Sequence, residues 1–157
     1  MKLYLIQHGE ATSEGVNPSR PLTERGSQDV EKIASFLRQA GVGSVRTRHS
    51  GKLRARQTAE IIAASLGSAA QVQEAGNLSP NDPVRNLVEE TQKMTADLMI
   101  VGHLPFLGKL ASALLTGSES VIPVAFRQGG VVCLQRNEGM TWQVAWMVIP
   151  DILKREE

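Results

Sequence analysis

The sequence predicts an α/β fold, a three-layer α/β/α sandwich whose central sheet is mostly parallel with an antiparallel C-terminal edge. Three observations lead there. Apolar strand-like runs alternate with stretches of helical periodicity from Lys2 to Gly117, and such alternation implies parallel strands joined by crossover helices. Two of the runs deliver a histidine beside a glycine at their carboxyl ends, His8-Gly9 and Gly102-His103, where open α/β sheets bind ligands. The tail breaks the rhythm: residues 131–135 and 141–148 are separated by Arg136-Asn137-Glu138-Gly139, too short for a crossover helix and long enough for a hairpin.

The elements follow in order. Residues 2–7 form the first strand, and a polar loop through Asn17-Pro18-Ser19 leads to a helix with Val30, Ile33, Ala34 and Leu37 on one face, closed by Gly41. Residues 44–49 make a short, arginine-rich second strand. The next helix carries Ala59, Ile62, Ala63 and Leu66 at the same spacing and stops at Gly67. Residues 71–74 give a weak third strand. Asp82 and Pro83 read as the N-cap and first position of a helix marked by Val84, Leu87, Val88 and Thr91. Residues 98–101 are a strong buried strand, and Pro105 opens a helix with Leu107, Leu110, Ala111 and Leu114 before Gly117. In the last strand Trp142, Val144, Trp146 and Val148 alternate with Gln143, Ala145 and Met147, and the tryptophans read as core packing.

Composition narrows the function. The 157 residues suit one domain, 1–157, with its own core, and 41% hydrophobic with 21% charged residues is ordinary for a globular protein. A net charge of +1 offers no broad basic face, so the arginines read as a local anion site and nucleic acid is not an expected partner. The single cysteine, Cys133, excludes an internal disulfide and a thiolate metal cluster, and its apolar neighbours make it a small buried hydrophobe. The opening apolar run, residues 3–6, is shorter than a signal-peptide core, and no stretch approaches a membrane span. The expected location is the cytoplasm, with no membrane partner.

A histidine at a strand end is, by itself, more often structural than catalytic. Its company changes that reading. Ser50-Gly51-Lys52-Leu53-Arg54-Ala55-Arg56-Gln57-Thr58 places guanidinium groups at the start of a helix, and Arg20-Pro21-Leu22-Thr23 places another just before one. Helix starts favour anions, and arginine holds two phosphate oxygens in one planar fork. The inventory is a phosphate site with histidine in it.

On these residues the chain resembles the histidine phosphatase superfamily, in particular its small bacterial branch of SixA-type phosphohistidine phosphatases. The matching segments are His8-Gly9-Glu10-Ala11, Arg20-Pro21-Leu22-Thr23, residues 49–59 around the second helix, Leu78-Ser79-Pro80, and Val101-Gly102-His103-Leu104-Pro105. The resemblance covers most of the chain. It implies a metal-independent phosphatase without a cofactor, in which His8 attacks phosphorus in line while Arg54, Arg20 and His103 compensate the charge that phosphoryl transfer spreads over the equatorial oxygens. Water then hydrolyses phospho-His8. The implied catalytic residues are His8, His103 and Arg54, and the implied substrate-binding residues are Gln7, Gly9 and Arg20. A phosphohistidine-bearing protein is the implied substrate, and inorganic phosphate the product.

One position departs from the pattern. The family opens on Arg-His-Gly, whereas Gln7 stands first here. A glutamine offers neutral donors where arginine offers a charged fork, so weaker phosphate binding or a shifted substrate range is expected. A small-molecule phosphomonoesterase and a weakly active phosphate-binding module are the alternatives. Family members acting on esters use a mid-chain carboxylate to protonate the leaving group; residues 74–83 resemble the shorter branch that lacks it, with Glu74 and Asp82 as the available acids. Phosphohistidine needs such help less, because imidazole departs more readily than an alkoxide.

The remaining polar residues receive plainer readings. Arg56 is assigned to the surface or a salt bridge, Lys52 to solvent and His49 to a structural role. Glu10 with His8 and His103 has the composition of a metal site, but the arginines around it repel a cation. Gly9 is read as needed for backbone approach to the phosphate.

Overall fold

The computed structural model of the chain describes residues 1–154. Six strands form one sheet in the order β3-β2-β4-β1-β5-β6: β1 (Lys2–Gln7), β2 (Arg46–His49), β3 (Val72–Glu74), β4 (Leu98–Gly102), β5 (Val131–Arg136) and β6 (Trp142–Val148). The helices are α1 (Glu24–Gln39), α2 (Leu53–Leu66), α3 (Arg85–Lys93) and α4 (Phe106–Thr116). β1, β4, β2 and β3 run parallel, while β5 is antiparallel to β1 and β6 to β5. This is the predicted three-layer sandwich with its antiparallel edge.

Side-chain alternation in the strands sorts the core into two halves. Leu3 and Leu5 of β1 and Leu98 and Ile100 of β4 pack on one face with Leu87 of α3 and Phe106, Leu107 and Leu110 of α4. Tyr4, Ile6, Met99 and Val101 pack on the other with Val30, Ile33 and Leu37 of α1 and Ala59 and Ile62 of α2. Since β1 and β4 are covered on both sides, their sequences are continuously apolar. Leu3, Leu5, Ile6 and residues 98–101 are all fully buried.

Three sequence expectations are corrected. The second strand begins at Arg46, not residue 44, because its partner β4 begins at Leu98, opposite Arg46, so Ser44 and Val45 have no ladder to join. Asp82 does not cap α3, which starts at Arg85 with Val84 at its N-cap. Its carboxylate instead accepts the Ser79 N–H at 2.8 Å, closing the preceding turn. Strict alternation in β6 also fails, because the register slips between Cys133 and Leu134, whose partners are Trp146 and Val144, leaving Ala145 as an extra residue. Trp142 therefore packs with the α3/α4 half, and Trp146 with the α1/α2 half against Tyr4 and Phe36.

Candidate active site

The pairing of β1 with β4 sets Gln7 opposite Gly102, and the ladder continues one step as the His8 N–H donates to the Gly102 carbonyl at 3.0 Å. Both imidazoles thus leave adjacent strands at the same level of the sheet's carboxyl edge. Their ring centroids lie 5.0 Å apart. Both are buried, His8 to 8% and His103 to 2% exposure.

His8 Nδ1 lies 2.7 Å from the Gly9 carbonyl oxygen. A carbonyl only accepts, so Nδ1 carries the proton and Nε2 keeps its lone pair. Burial lowers the His8 pKa below the ordinary 6.5, opposed by the bond to Gly9 and reinforced by the positive charges of Arg54 and Arg20. At neutral pH the ring is uncharged, as a nucleophile requires. Burial first, then His8, Arg54, Lys52 and Arg20, bring the His103 pKa down to about 3. His103 Nε2 lies 2.6 Å from Ser50 Oγ, while its Nδ1 is buried without a protein partner.

Arg54 sits in the first turn of α2, half-buried, its Nε also without a protein partner. Burial and the charge of Arg20 make its cation less favourable. Arg20 holds φ at 47°, an uncommon left-handed conformation for a side-chain-bearing residue, and its Nε donates to the Thr12 carbonyl at 3.2 Å. Two guanidiniums, two neutral imidazoles and two buried polar atoms without a partner among the described residues form a cluster whose charge suits an oxyanion of phosphorus.

Comparison with known proteins agrees with this chemistry. The family model for the histidine phosphatase superfamily (branch 1) matches residues 3–79. Phosphohistidine phosphatase SixA of Escherichia coli (strain K12) is 26% identical over 159 residues, 98% of this chain and 97% of that protein. An uncharacterised protein of Picosynechococcus sp. is 35% identical over 125 residues, 74% of each chain. The chain belongs to the histidine phosphatase superfamily, in its SixA-type branch. A solved structure of the protein histidine phosphatase SixA complexed with tungstate superposes with a TM-score of 0.87 at 26% identity, covering 98% of this chain and 100% of that one. The superfamily assignment makes the chain a phosphatase, a hydrolase.

Within this SixA-type fold the residues singled out from sequence divide into two groups. His8, His103, Arg54 and Arg20 share one electrostatic neighbourhood. The Gln7 side chain lines an adjoining open groove of about 390 Å³ with Glu10, Leu104, Phe126 and Arg127. Its Oε1 is buried without a protein partner. A Cβ on Gly9 would come within 2.8 Å of Val30 Cγ2 and 3.0 Å of the Gly26 carbonyl, and its N–H donates to Thr58 Oγ1 at 3.1 Å. Gly9 is small because α1 packs against it, and it serves His8 through its carbonyl.

Four polar side chains near the site have defined surroundings. Arg56 pairs with Glu60 at 2.8 Å, Lys52 is exposed, and buried His49 accepts the Gly51 N–H on Nδ1 at 3.1 Å. Glu10 accepts the Thr23 hydroxyl at 2.6 Å, which N-caps α1 by accepting the Gly26 N–H. Among the described residues no group of three or more His, Cys, Asp or Glu is placed to hold a metal ion, and no helix is long and apolar enough to cross a membrane. Sequence reasoning passed over Ser50 and Thr58 as members of a motif without roles. The available signal for Ser50 was its place directly after β2, at the same sheet edge as the histidines.

Proposed function

We propose that this enzyme is a cytoplasmic phosphohistidine phosphatase, one domain over residues 1–157, that removes the phosphoryl group from a protein histidine through a phospho-His8 intermediate. The observation that carries the reading is the bond from His8 Nδ1 to the Gly9 carbonyl, which aims a neutral lone pair into a cationic pocket. His8 Nε2 forms a bond to phosphorus as the substrate's P–N bond breaks, and the departing imidazole takes a proton from solvent. One water then attacks phospho-His8, giving a proton back to solvent as the P–Nε2 bond breaks, which releases inorganic phosphate and restores the neutral ring. Arg54, Arg20 and His103 stabilise the equatorial oxygens in both steps, and Gln7 borders them from the adjoining groove.

Two features favour a phosphoramidate on a protein over a small ester. The mid-chain segment offers no buried carboxyl as a general acid: Asp82 closes the Ser79 turn, and Glu74, whose carboxylate lies over Gly51, is exposed to solvent. A readily departing imidazole tolerates that lack, whereas general acid help for an alkoxide is commonly a factor of about 100 to 10,000. One relative by sequence, SixA of Escherichia coli, is by name a phosphohistidine phosphatase.

The deciding experiment is a panel of phosphohistidine protein, phosphoserine, phosphotyrosine and small phosphate esters, with trapping of acid-labile phosphate on the enzyme. Fastest turnover of phosphohistidine, with label on wild type and none on His8→Ala, is the expected result. Fastest turnover of a small ester would assign the enzyme to metabolite phosphatases. Binding without turnover would make it a phosphate-binding module.

A further inference from the structure

The two histidines of the site are held by chemically different partners. Nδ1 of His8 faces a carbonyl, which only accepts and so locks one tautomer. Nε2 of His103 faces the hydroxyl of Ser50 at 2.6 Å, and a hydroxyl donates or accepts by rotating about its C–O bond. Ser50 therefore remains a partner whether Nε2 carries a proton or a lone pair. A carboxylate there would hold the ring as imidazolium, and a carbonyl would demand the N–H permanently.

Ser50 is itself well placed for this task. It follows the last residue of β2, whose backbone pairs with Val101 of β4. The next residue, Gly51, has φ at +88°, a left-handed conformation that favours glycine, and a Cβ there would meet the Glu74 carboxylate. The Gly51 N–H is tied to His49 Nδ1 and the Lys52 N–H reaches Ser50 Oγ at 3.4 Å. Among the described residues Nδ1 of His103 has no partner, and Ser50 supplies a side-chain hydrogen bond to the ring at Nε2.

The charge on His103 is bound to depend on the ligand. The groups facing it are His8 just after β1, Lys52 and Arg54 from the start of α2, and Arg20 from the loop before α1. All disfavour a proton on His103, and a phosphoryl dianion among them favours one. We infer that Ser50 is a positioning residue that holds His103 Nε2 through both protonation states, letting the ring gain a proton from solvent as phosphoryl charge arrives and return it as phosphate leaves. This rests on the placement of His103 in the phosphoryl site proposed above.

The test follows the His103 ring directly. ¹⁵N imidazole resonances are titrated with and without inorganic phosphate in wild type, Ser50→Ala and Ser50→Thr, and turnover of the best panel substrate is measured in these, in His103→Ala and in the double variant. In wild type, phosphate raises the pH at which His103 protonates. Ser50→Ala blunts that rise and lowers turnover about tenfold, the size expected for a hydrogen bond to a charged group. Ser50→Thr restores both to within about threefold, and Ser50→Ala adds nothing in the His103→Ala background, as two residues acting as one unit require. An unchanged titration and rate in Ser50→Ala, or an equal loss in the His103→Ala background, overturns the inference. Full activity of His103→Ala sinks the reading of the site itself; an inactive His103→Ala beside an indifferent Ser50→Ala sinks this inference alone.

Discussion

Thr58 Oγ1 accepts the Gly9 N–H at 3.1 Å and donates its own proton to the Arg54 carbonyl at 2.8 Å. One fully buried hydroxyl thus ties the loop that carries His8 to the helix turn that carries Arg54. Thr58→Val keeps the shape and removes both bonds. The expected loss is about 1–3 kcal/mol, the usual result of stranding a buried donor, seen as a thermal midpoint lower by several degrees, together with reduced turnover. A variant with unchanged midpoint and rate would show that the two segments hold their positions without it.

Arg54 and Arg56 differ by two positions and by their surroundings. Arg54→Ala is expected to weaken inorganic phosphate inhibition and turnover by about 10- to 100-fold, as loss of a charged hydrogen-bond donor does. Arg56, with 60% of its side chain exposed and paired to Glu60, is expected to lose little when cut back to alanine, because water screens an exposed pair. Phosphate inhibition constants for the two variants, measured side by side, decide it; the reverse order would move the anion to the other face of α2.

Gln7→Arg is expected to raise phosphate affinity by about 2- to 30-fold, the difference between a neutral and a charge-assisted hydrogen bond. Isothermal titration with inorganic phosphate measures it. No gain would place residue 7 as a determinant of the adjoining groove, which it lines with Leu104 and Phe126, and not of the phosphoryl pocket.

Two histidines whose folded pKa values lie below 6.5 link stability to pH. Below 6.5 the unfolded chain takes up protons that the folded protein refuses, so stability is complete above that value and declines as pH falls towards about 3, where His103 protonates in the folded state. Thermal midpoints measured from pH 7.5 to 4 should fall, and His103→Gln should flatten the slope. An equal slope in the variant would assign the acid sensitivity to other groups.

The elements with strong periodicity were legible in the sequence because burial on a regular element writes itself into spacing: Val30, Ile33, Ala34 and Leu37 of α1 are all buried. The histidines were legible because the strand ends that carry them are marked by glycine. The missed features depend on other parts of the chain. β2 is short because β4 starts late, the β6 alternation is reset by a bulge against β5, and the bare Cα of Gly9 answers to Val30 and Gly26, which local sequence does not announce. Asp82 followed by proline has the chemistry of a cap, and a backbone N–H three residues upstream took the carboxylate first.

The sheet order has a consequence for how the catalyst comes into being. β4 lies between β1 and β2, so the two earliest strands touch only through a strand made much later. Until that wedge arrives, β1 has no strand to pair with and β2 has only the short β3, so the amino-terminal half carries His8 and Arg54 beside open strand edges, which are prone to join other chains. A fragment ending before Leu98 is therefore expected to be inert and adhesive, and supplying the missing half in trans would restore both solubility and hydrolysis together.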